Sequence, residues 1–234
     1  MSDLDGSIAG RLADVRARIA RAAARAGRDA AGVRLVAVSK TYGAGHVAAA
    51  MAAGQRDFGE NKVQEGLQKI GVMADTTIRW HLIGHLQSNK ARKAAEAFDW
   101  IHAIDSVALL QKVDAAAADA GRQPRVLIQV DLAAEATKHG AAPDQVPGIV
   151  AAAEACGAAE LVGLMLLPPA VDNPEHARPW FRRLRDLRDR LVAGGTPAER
   201  LAELSMGMSH DFDVAVEEGA TIVRVGSAIF GARG

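Results

Sequence analysis

The sequence predicts an α/β protein, a single (β/α)8 TIM barrel with an extra N-terminal helix, forming one domain over residues 1–234. Eight short apolar segments alternate with segments of helical periodicity, which is typical of parallel strands joined by crossover helices. Several of these segments are apolar almost without interruption, as expected for strands covered on both faces. An open doubly wound sheet is the rival fold, but no Gly-x-Gly-x-x-Gly follows the first strand.

Each predicted strand is preceded by a predicted helix, so eight crossovers are available to close a barrel. The predicted strands are Val33–Ser39, Arg56–Gly59, Ile78–Ile83, Trp100–Ile104, Arg125–Val130, Leu161–Leu167, Leu201–Met206 and Thr221–Val225. The predicted helices are Gly6–Gly27, Ala44–Ala53, Lys62–Val72, Asn89–Ala97, Ser106–Ala120, Pro143–Ala153, Pro174–Val192 and Ser209–Glu218.

Composition argues against several classes of partner. Lys plus Arg and Asp plus Glu number 28 each, so no overall charge favours nucleic acid or a membrane surface. The one cysteine, Cys156, cannot form an internal disulfide. No apolar run reaches membrane-spanning length, and the N-terminus lacks the apolar core of a signal peptide. These observations predict a cytoplasmic protein with no nucleic-acid or membrane partner.

In a barrel of this class the ligand site lies at the carboxyl ends of the strands, and here those ends are polar. Lys40 follows the first strand, where a partly desolvated amine could attack an aldehyde, although a solvated lysine is the commoner case. The other polar strand ends are Glu60 with Asn61, His81 with His85, Asp105, Asp131, Ser205 with Ser209, and Arg224 with Ser227.

Two segments near the C-terminus are candidates for binding a phosphate group. Gly226 and Ser227 follow the eighth strand, and Ser209 follows the seventh, so backbone N–H groups and hydroxyls gather where barrels often bind phosphate. Ordinary turn chemistry, with Ser209 as the N-cap of the next helix, explains the same residues equally well. Arg224 lies inside an apolar strand, where a charge needs a partner or a function, and this favours a site.

These residues belong to longer motifs that run through nearly the whole chain in order. The motifs are VAVSK ending at Lys40, DFGENKVQE at 57–65, WHLIGHLQSNK at 80–90, GLM at 163–165 with Pro168-Pro169, and SMGMSHDFDVAVEEGATIVRVGSAIFG at 205–231. They resemble the YggS/PROSC family of pyridoxal 5'-phosphate (PLP) homeostasis proteins, which has the barrel of the alanine racemase class.

The resemblance implies a non-catalytic cytoplasmic protein that holds PLP as an internal aldimine on Lys40. It also implies that PLP-requiring apoenzymes could be partners. The phosphate would lie against Ser209, Gly226 and Ser227, and Arg224 would face the pyridine nitrogen, which weakens the ring as an electron sink. By the same resemblance, Asn61 would lie near the ring or the aldimine, and Met165 would pack on a ring face.

The sequence departs from the family pattern at two points. Thr41-Tyr42-Gly43 follows Lys40, where a proline is common. The loop 131–140 replaces the usual Ser-Gly-Glu-Glu-Ser-Lys form, which puts in doubt any role for Lys138.

Three other functions compete with the PLP-carrier interpretation. A PLP-dependent racemase or decarboxylase of the same class would need an opposing base from a C-terminal β domain, and none follows strand eight here. The lack of that dimer-forming domain also predicts a monomer. A phosphosugar barrel would explain the phosphate residues but not Arg224. Metal binding by His81, His85 and His102 lacks a compact ligand set, so satisfied polar side chains are the favoured interpretation.

Overall fold

A computed structural model of the chain describes residues 3–133 and 139–231. Within them, eight parallel strands form a closed barrel in chain order, and the last strand pairs with the first. The predicted (β/α)8 barrel is therefore confirmed. The strands are β1 (Arg34–Val38), β2 (Asp57–Glu60), β3 (Arg79–Leu82), β4 (Trp100–Ile104), β5 (Arg125–Val130), β6 (Glu160–Leu166), β7 (Glu203–Met208) and β8 (Ile222–Val225).

Helices surround the barrel and connect successive strands on its outside. They are α1 (Asp3–Arg25), α2 (Ala44–Ala52), α3 (Val63–Met73), α4 (Ala91–Ala97), α5 (Val107–Asp119), α6 (Val146–Ala152), α7 (Arg178–Ala193), α8 (Phe212–Glu217) and α9 (Ser227–Phe230). Across the described residues, none of the helices combines the length and the apolar character needed to cross a membrane.

The extra N-terminal helix covers the seam where the barrel closes. Ile8, Leu12, Val15 and Ile19 are buried, and their spacing of three or four residues gives α1 one apolar stripe. This stripe packs α1 against α2, α8 and α9. The Nε atom of Arg11 also donates a hydrogen bond of 2.6 Å to the Ile229 carbonyl in α9. The helix therefore supports the end of the chain that follows β8.

The apolar residues form two cores. The larger lies between the strands and the helices, where it excludes water from the outer face of the barrel. The smaller fills part of the barrel interior and consists of Val36, Trp100, Leu127, Val162, Met165 and Ile222. Because the strands are buried on both faces, their apolar residues supply both cores, which explains the uninterrupted apolar runs in the sequence.

Two predicted boundaries were wrong, and one short helix was missed. Strand seven begins two residues later than predicted, because Ala198–Leu201 forms a 3-10 turn that buries Leu201. The helix predicted from Ser209 begins at Phe212. The short helix α9 was not predicted at all. The other helices and strands lie where the sequence indicated, within a few residues at each end.

Candidate functional site

A cavity of about 500 Å³ opens at the carboxyl ends of the strands, which is the end where barrels of this class bind ligands. We call it the mouth cavity. Residues from β1, β2, β3, β5, β6, β7 and β8, or from the loops that follow them, contribute to its wall. They are Val38, Lys40, Tyr42, Asn61, Ile83, Gly84, His85, Gln129, His139, Leu167, Met208, Ser209, His210, Arg224, Gly226 and Ser227.

Six of the seven predicted site residues line this cavity together: Lys40, Asn61, Ser209, Arg224, Gly226 and Ser227. The seventh, Met165, is fully buried in the barrel interior with the smaller apolar core. Leu167, two residues further along the chain, lies on the wall of the cavity instead. The packing of Met165 on a ligand ring stays a prediction.

Lys40 is half-buried at the end of β1, and the two residues that flank it are both held by side chains from elsewhere. The Ser39 hydroxyl donates a hydrogen bond of 2.6 Å to Glu60 Oε1. The Thr41 backbone N–H donates one of 2.5 Å to Glu65 Oε1, and Thr41 has a φ of 70°. A positive φ is unusual for a residue with a branched side chain. The backbone around Lys40 is thus fixed on both sides.

Both of these carboxylates meet at Lys69, which extends from α3. Its Nζ atom donates to Glu60 Oε1 at 2.7 Å, to Glu65 Oε1 at 2.9 Å and to the Ser39 carbonyl at 2.6 Å. We call Ser39, Glu60, Glu65 and Lys69 the lysine-side cluster. Glu60 was read from the sequence as a polar strand end, but its side chain points toward α3 and does not line the mouth cavity.

Within the lysine-side cluster, the charged form of Glu60 is destabilised by burial. Burial raises the pKa of this carboxyl, and the hydrogen bonds from Lys69 and Ser39 oppose the rise without cancelling it. Its second oxygen, Oε2, is buried and has no hydrogen-bond partner among the described residues. At Glu65, by contrast, burial is outweighed by hydrogen bonds from Lys69 and Thr41, which lower the pKa. Lys69 is therefore the group on which both carboxylates depend.

Asn61 reaches the cavity because a glycine allows two strand ends to come together. A Cβ atom on Gly84 would lie 2.3 Å from the Asn61 carbonyl oxygen and 2.8 Å from its Cα atom. No side chain fits there without moving the backbone. Gly84 therefore sets the position of Asn61, a role that is not apparent from the sequence.

The part of the cavity wall that follows β7 and β8 is built from small residues and backbone amides. The Ser209 hydroxyl oxygen accepts hydrogen bonds from the backbone N–H groups of Gly226 at 3.0 Å and Ala228 at 3.5 Å. We call Ser209, Gly226 and Ser227 the phosphate-side group. Ser209 does not act as the N-cap of α8; that position belongs to Asp211. Since its oxygen accepts from the two amides, the Ser209 hydroxyl proton is available to donate to a bound anion.

The turn that presents Ser209 is fixed by a glycine and a buried acid. Gly207 has a φ of 92°, and a Cβ atom there would lie 2.5 Å from the Ala215 side chain. Asp211 is buried and accepts a hydrogen bond of 2.6 Å from the Met208 backbone N–H. Burial raises the pKa of Asp211, with opposing contributions from Met208 and Arg224. The turn is thus defined by backbone geometry.

Arg224 contributes a cation to the cavity. The residue is only 3% exposed. Its NH1 atom donates to Ser205 Oγ at 2.6 Å, and NH2 donates to the Leu166 carbonyl at 2.9 Å. Burial lowers the pKa of Arg224 to about 10, and the nearby Asp211 opposes this. The guanidinium therefore stays charged at neutral pH and is held in one orientation.

The three histidines considered as metal ligands lie in two separate places. His81 and His102 are fully buried in the barrel interior, where a hydrogen bond of 3.0 Å joins them. His85 lies at the mouth cavity and stacks on His139, with ring centroids 3.5 Å apart. Within residues 3–133 and 139–231, no group of three or more His, Cys, Asp or Glu side chains is arranged to hold a metal.

Several residues of the cavity wall were missed by the sequence analysis as site residues. Tyr42 is the clearest case: its hydroxyl donates a hydrogen bond of 2.8 Å to the Gly231 carbonyl, and its ring packs against Phe230. Gln129 of β5 is also missed; it is buried and lies on the cavity wall. Lys138, in the loop that departs from the family pattern, lies outside the described residues.

Comparison with known proteins gives consistent matches over nearly the whole chain. A family model described as the alanine racemase N-terminal domain matches residues 11–234. A pyridoxal phosphate homeostasis protein of Pseudomonas aeruginosa is 45% identical over 228 residues, which cover 97% of this chain and 96% of that protein. One from Aquifex aeolicus is 40% identical, covering 95% and 97%. The structure of PipY from Synechococcus elongatus with PLP bound is similar, with 40% identity, a TM-score of 0.84, and coverage of 96% of this chain and 100% of PipY.

Proposed function

This chain belongs to the family of pyridoxal phosphate homeostasis proteins, and on that premise we propose that it is a non-catalytic carrier of PLP. The cofactor would occupy the mouth cavity, with its aldehyde joined to Lys40 as a Schiff base. The observation that carries this proposal is that one cavity contains a half-buried lysine, a buried cation and a phosphate-side group.

The chemistry of these three groups fits the three functional parts of PLP. The amine of Lys40 can condense with the aldehyde, forming a C=N bond and releasing water. Ser209 can donate its hydroxyl proton to the phosphate, and Gly226 and Ser227 leave room for it because neither carries a large side chain. When bound, PLP supplies a conjugated ring that can withdraw electrons from an attached amine.

Arg224 would weaken the bound ring as an electron sink. A guanidinium has only donor hydrogens, so it can pair with the ring nitrogen only while that nitrogen keeps its lone pair. An unprotonated ring withdraws electrons weakly, which disfavours carbanion chemistry on a bound amino acid. The names of the relatives at 40–45% identity, which refer to homeostasis, point the same way.

The test is an absorbance titration of the purified protein with PLP, followed by borohydride reduction and peptide mass mapping. We expect a band near the visible edge and a reduced adduct on Lys40, both lost in Lys40→Ala and both retained in Lys112→Ala, which changes an exposed lysine of α5. Absence of the band with excess PLP would overturn the proposal and turn attention to a phosphorylated sugar. A racemase turnover that requires Lys40 would overturn the non-catalytic part.

Carriage also implies a recipient. We propose that PLP-requiring apoenzymes take the cofactor from this protein. We also propose that residues 1–234 form a single domain. Mixing the loaded protein with an apoenzyme in the presence of a trap for free PLP tests this. Reactivation that the trap does not suppress supports direct transfer, and complete suppression would mean that PLP passes through solution.

A further inference from the structure

Five polar side chains cross the barrel interior from its amino-terminal end to the mouth cavity. The interior of such a barrel is usually filled with apolar side chains, so a continuous polar path is unusual. All of these side chains are buried, with residue exposures of 6% or less. The five are Asp57, His81, His102, Ser205 and Arg224.

Each member of this path is hydrogen-bonded to the next. His81 Nε2 lies 3.1 Å from Asp57 Oδ1, and His81 Nδ1 lies 3.0 Å from His102 Nε2. His102 Nδ1 lies 2.9 Å from Ser205 Oγ. Arg224 NH1 lies 2.6 Å from the same Ser205 oxygen. The path therefore ends on the cation that faces the mouth cavity.

The amino-terminal end of the path is an ionised carboxylate. Arg79 donates to both oxygens of Asp57, at 2.7 and 2.6 Å, and Arg34 NH1 lies 3.5 Å away. Burial raises the pKa of Asp57, but the hydrogen bonds from Arg79 and His81 outweigh it and hold that pKa far below its usual value. Asp57 is consequently an acceptor at any pH at which the protein would be studied.

Burial favours the neutral form of both histidines. Burial lowers the pKa of His81, although the neighbouring Asp57 opposes this, and burial lowers the pKa of His102 well below its usual value. The charged and titratable groups that act on His81 are Asp57, Arg34, Asp99 and the hydrogen-bonded His102. Those that act on His102 are His81, Arg224 and Arg34. A neutral imidazole has one donor and one acceptor nitrogen, so each histidine can pass the direction of its hydrogen bond to the next group.

The direction of every hydrogen bond in the path follows from its two ends. Because Asp57 only accepts, His81 must carry its proton on Nε2, and its Nδ1 must accept from His102 Nε2–H. His102 Nδ1 then accepts the Ser205 hydroxyl proton. This leaves a lone pair on Ser205 Oγ for Arg224, which only donates. All four hydrogen bonds consequently point toward Asp57.

We propose that Asp57, His81, His102 and Ser205 form a one-way hydrogen-bond chain that orients Arg224 in the mouth cavity, and that they are positioning residues for bound PLP. This inference rests on the proposed function. In a buried network each bond polarises the next, so the charge of Asp57 strengthens the acceptor that Ser205 offers to Arg224. Simple packing does not account for the path, since apolar side chains of similar size would fill the interior without unsatisfied polar atoms.

The direction of the chain can be tested without cofactor. Nitrogen NMR of the histidine rings in the unliganded protein distinguishes a protonated from an unprotonated ring nitrogen. We expect His81 and His102 to be neutral at neutral pH and to carry their protons on Nε2. In Asp57→Asn the obligatory acceptor is replaced by an amide that can also donate, and we expect the ring protons to be redistributed. A proton on Nδ1 of either histidine in the unmodified protein would overturn the inference.

The effect on the cofactor is tested with PLP itself. Removal of the Ser205 hydroxyl in Ser205→Ala should weaken PLP binding about tenfold and change the absorbance of the bound form, because Arg224 loses a charge-assisted bond. Ser205→Thr keeps the hydroxyl and should bind within about threefold of the unmodified protein. Asp57→Asn should weaken binding by about three- to tenfold from the far end of the chain.

The matched control is Glu203→Gln. Glu203 begins β7 at the same end of the barrel as Asp57, and it accepts a hydrogen bond from Thr221 Oγ1, which is not part of the hydrogen-bond chain. It should leave PLP binding and absorbance unchanged.

If the unmodified protein does not take up PLP, the proposed function fails while the NMR result still stands. If it does, but Ser205→Ala and Asp57→Asn match it in affinity and absorbance, the inference fails and the carrier function survives. Should Ser205→Ala not fold, the comparison of Asp57→Asn with Glu203→Gln decides.

Discussion

The two sides of the mouth cavity are held in place by different physical means. On the lysine side, a buried network of charges from β2 and α3 fixes the backbone on both flanks of Lys40. On the phosphate side, the neutral Ser209 hydroxyl is held by a backbone amide, and Gly207 shapes the turn that carries it. The lysine side depends on several ion pairs, whereas the phosphate side depends on backbone shape and on one buried carboxyl, Asp211.

This difference fits the two chemical tasks proposed for them. A Schiff base is sensitive to where its amine lies, and a strand end tied to a helix through ion pairs leaves that amine little freedom. A phosphate needs several donors at once but tolerates small shifts, and backbone amides supply such donors without a charge that could repel other ligands. Substitutions on the two sides should therefore fail in different ways.

The largest effect is expected from Lys69→Met, which leaves Glu60 buried without its cation. Breaking a buried ion pair from one side costs about 3–5 kcal/mol of unfolding free energy. The pKa of Glu60 is already raised by burial and rises further in the variant. A carboxyl with a raised folded pKa contributes stability at low pH and loses it as the pH rises through that pKa. The deficit should therefore shrink as the pH falls from neutral, in urea titrations at several pH values.

The control for this comparison is Lys112→Met, which removes an exposed lysine of α5. It should change the unfolding free energy by less than about 0.5 kcal/mol. A deficit for Lys69→Met that is equally small, or that does not vary with pH, would contradict the view that charge holds the lysine side.

A steric change at the boundary of the lysine side should have the next largest effect. In Gly84→Ala the new methyl group would collide with the Asn61 backbone. We expect a loss of about 1–3 kcal/mol of unfolding free energy together with weaker PLP binding, since Asn61 must move. Gly45→Ala is the matched control, because Gly45 lies in α2 with open space around it and should be stabilised by about 0.5–1 kcal/mol. Equal stability of the two variants would show that the strand ends shift freely.

On the phosphate side, a charge should weaken binding without unfolding the protein. Ser227 is exposed, so Ser227→Asp should leave the unfolding free energy nearly unchanged. Its carboxylate would repel the PLP phosphate by about 1–3 kcal/mol, which corresponds to binding about tenfold weaker or more. Ser227→Asn, of nearly the same shape, should bind PLP normally. Added salt should reduce the difference. Unchanged PLP retention in Ser227→Asp would remove Ser227 from the phosphate-side group.

The sequence predicted the position of a site residue correctly where that position follows from the order of strands along the chain. It could not predict the direction in which a strand side chain points. Lys40, Ser209 and Gly226 follow strands directly, so a closed barrel necessarily brings them to one end. The direction of the Glu60 side chain could not be read from the sequence, because strands covered on both faces show no alternation of polar and apolar residues, and a shift of one residue reverses the facing.

Other features depend on contacts between distant parts of the chain. Lys69 looks like any lysine on a helix until β2 places Glu60 beside it. The Ser209 hydroxyl was equally suited to a helix N-cap, and only the approach of Gly226 decides its partner. The interior path was only partly visible: His81 and His102 were read as satisfied polar residues, but their common connection to Arg224 requires the closed barrel.

The smallest effect concerns backbone strain next to Lys40. Thr41 has a φ of 70°, a conformation that costs a residue with a side chain about 1–2 kcal/mol, whereas glycine adopts it freely. Glycine also loses about 0.5–1 kcal/mol more chain entropy on folding, so Thr41→Gly should gain only about 0.5 kcal/mol. Thr41→Ala keeps both the strain and the N–H bond to Glu65 and should not gain. If Thr41→Gly is more stable but binds PLP more weakly, strain beside Lys40 contributes to its placement; if it is clearly less stable, the Thr41 side chain makes contacts that outweigh the strain.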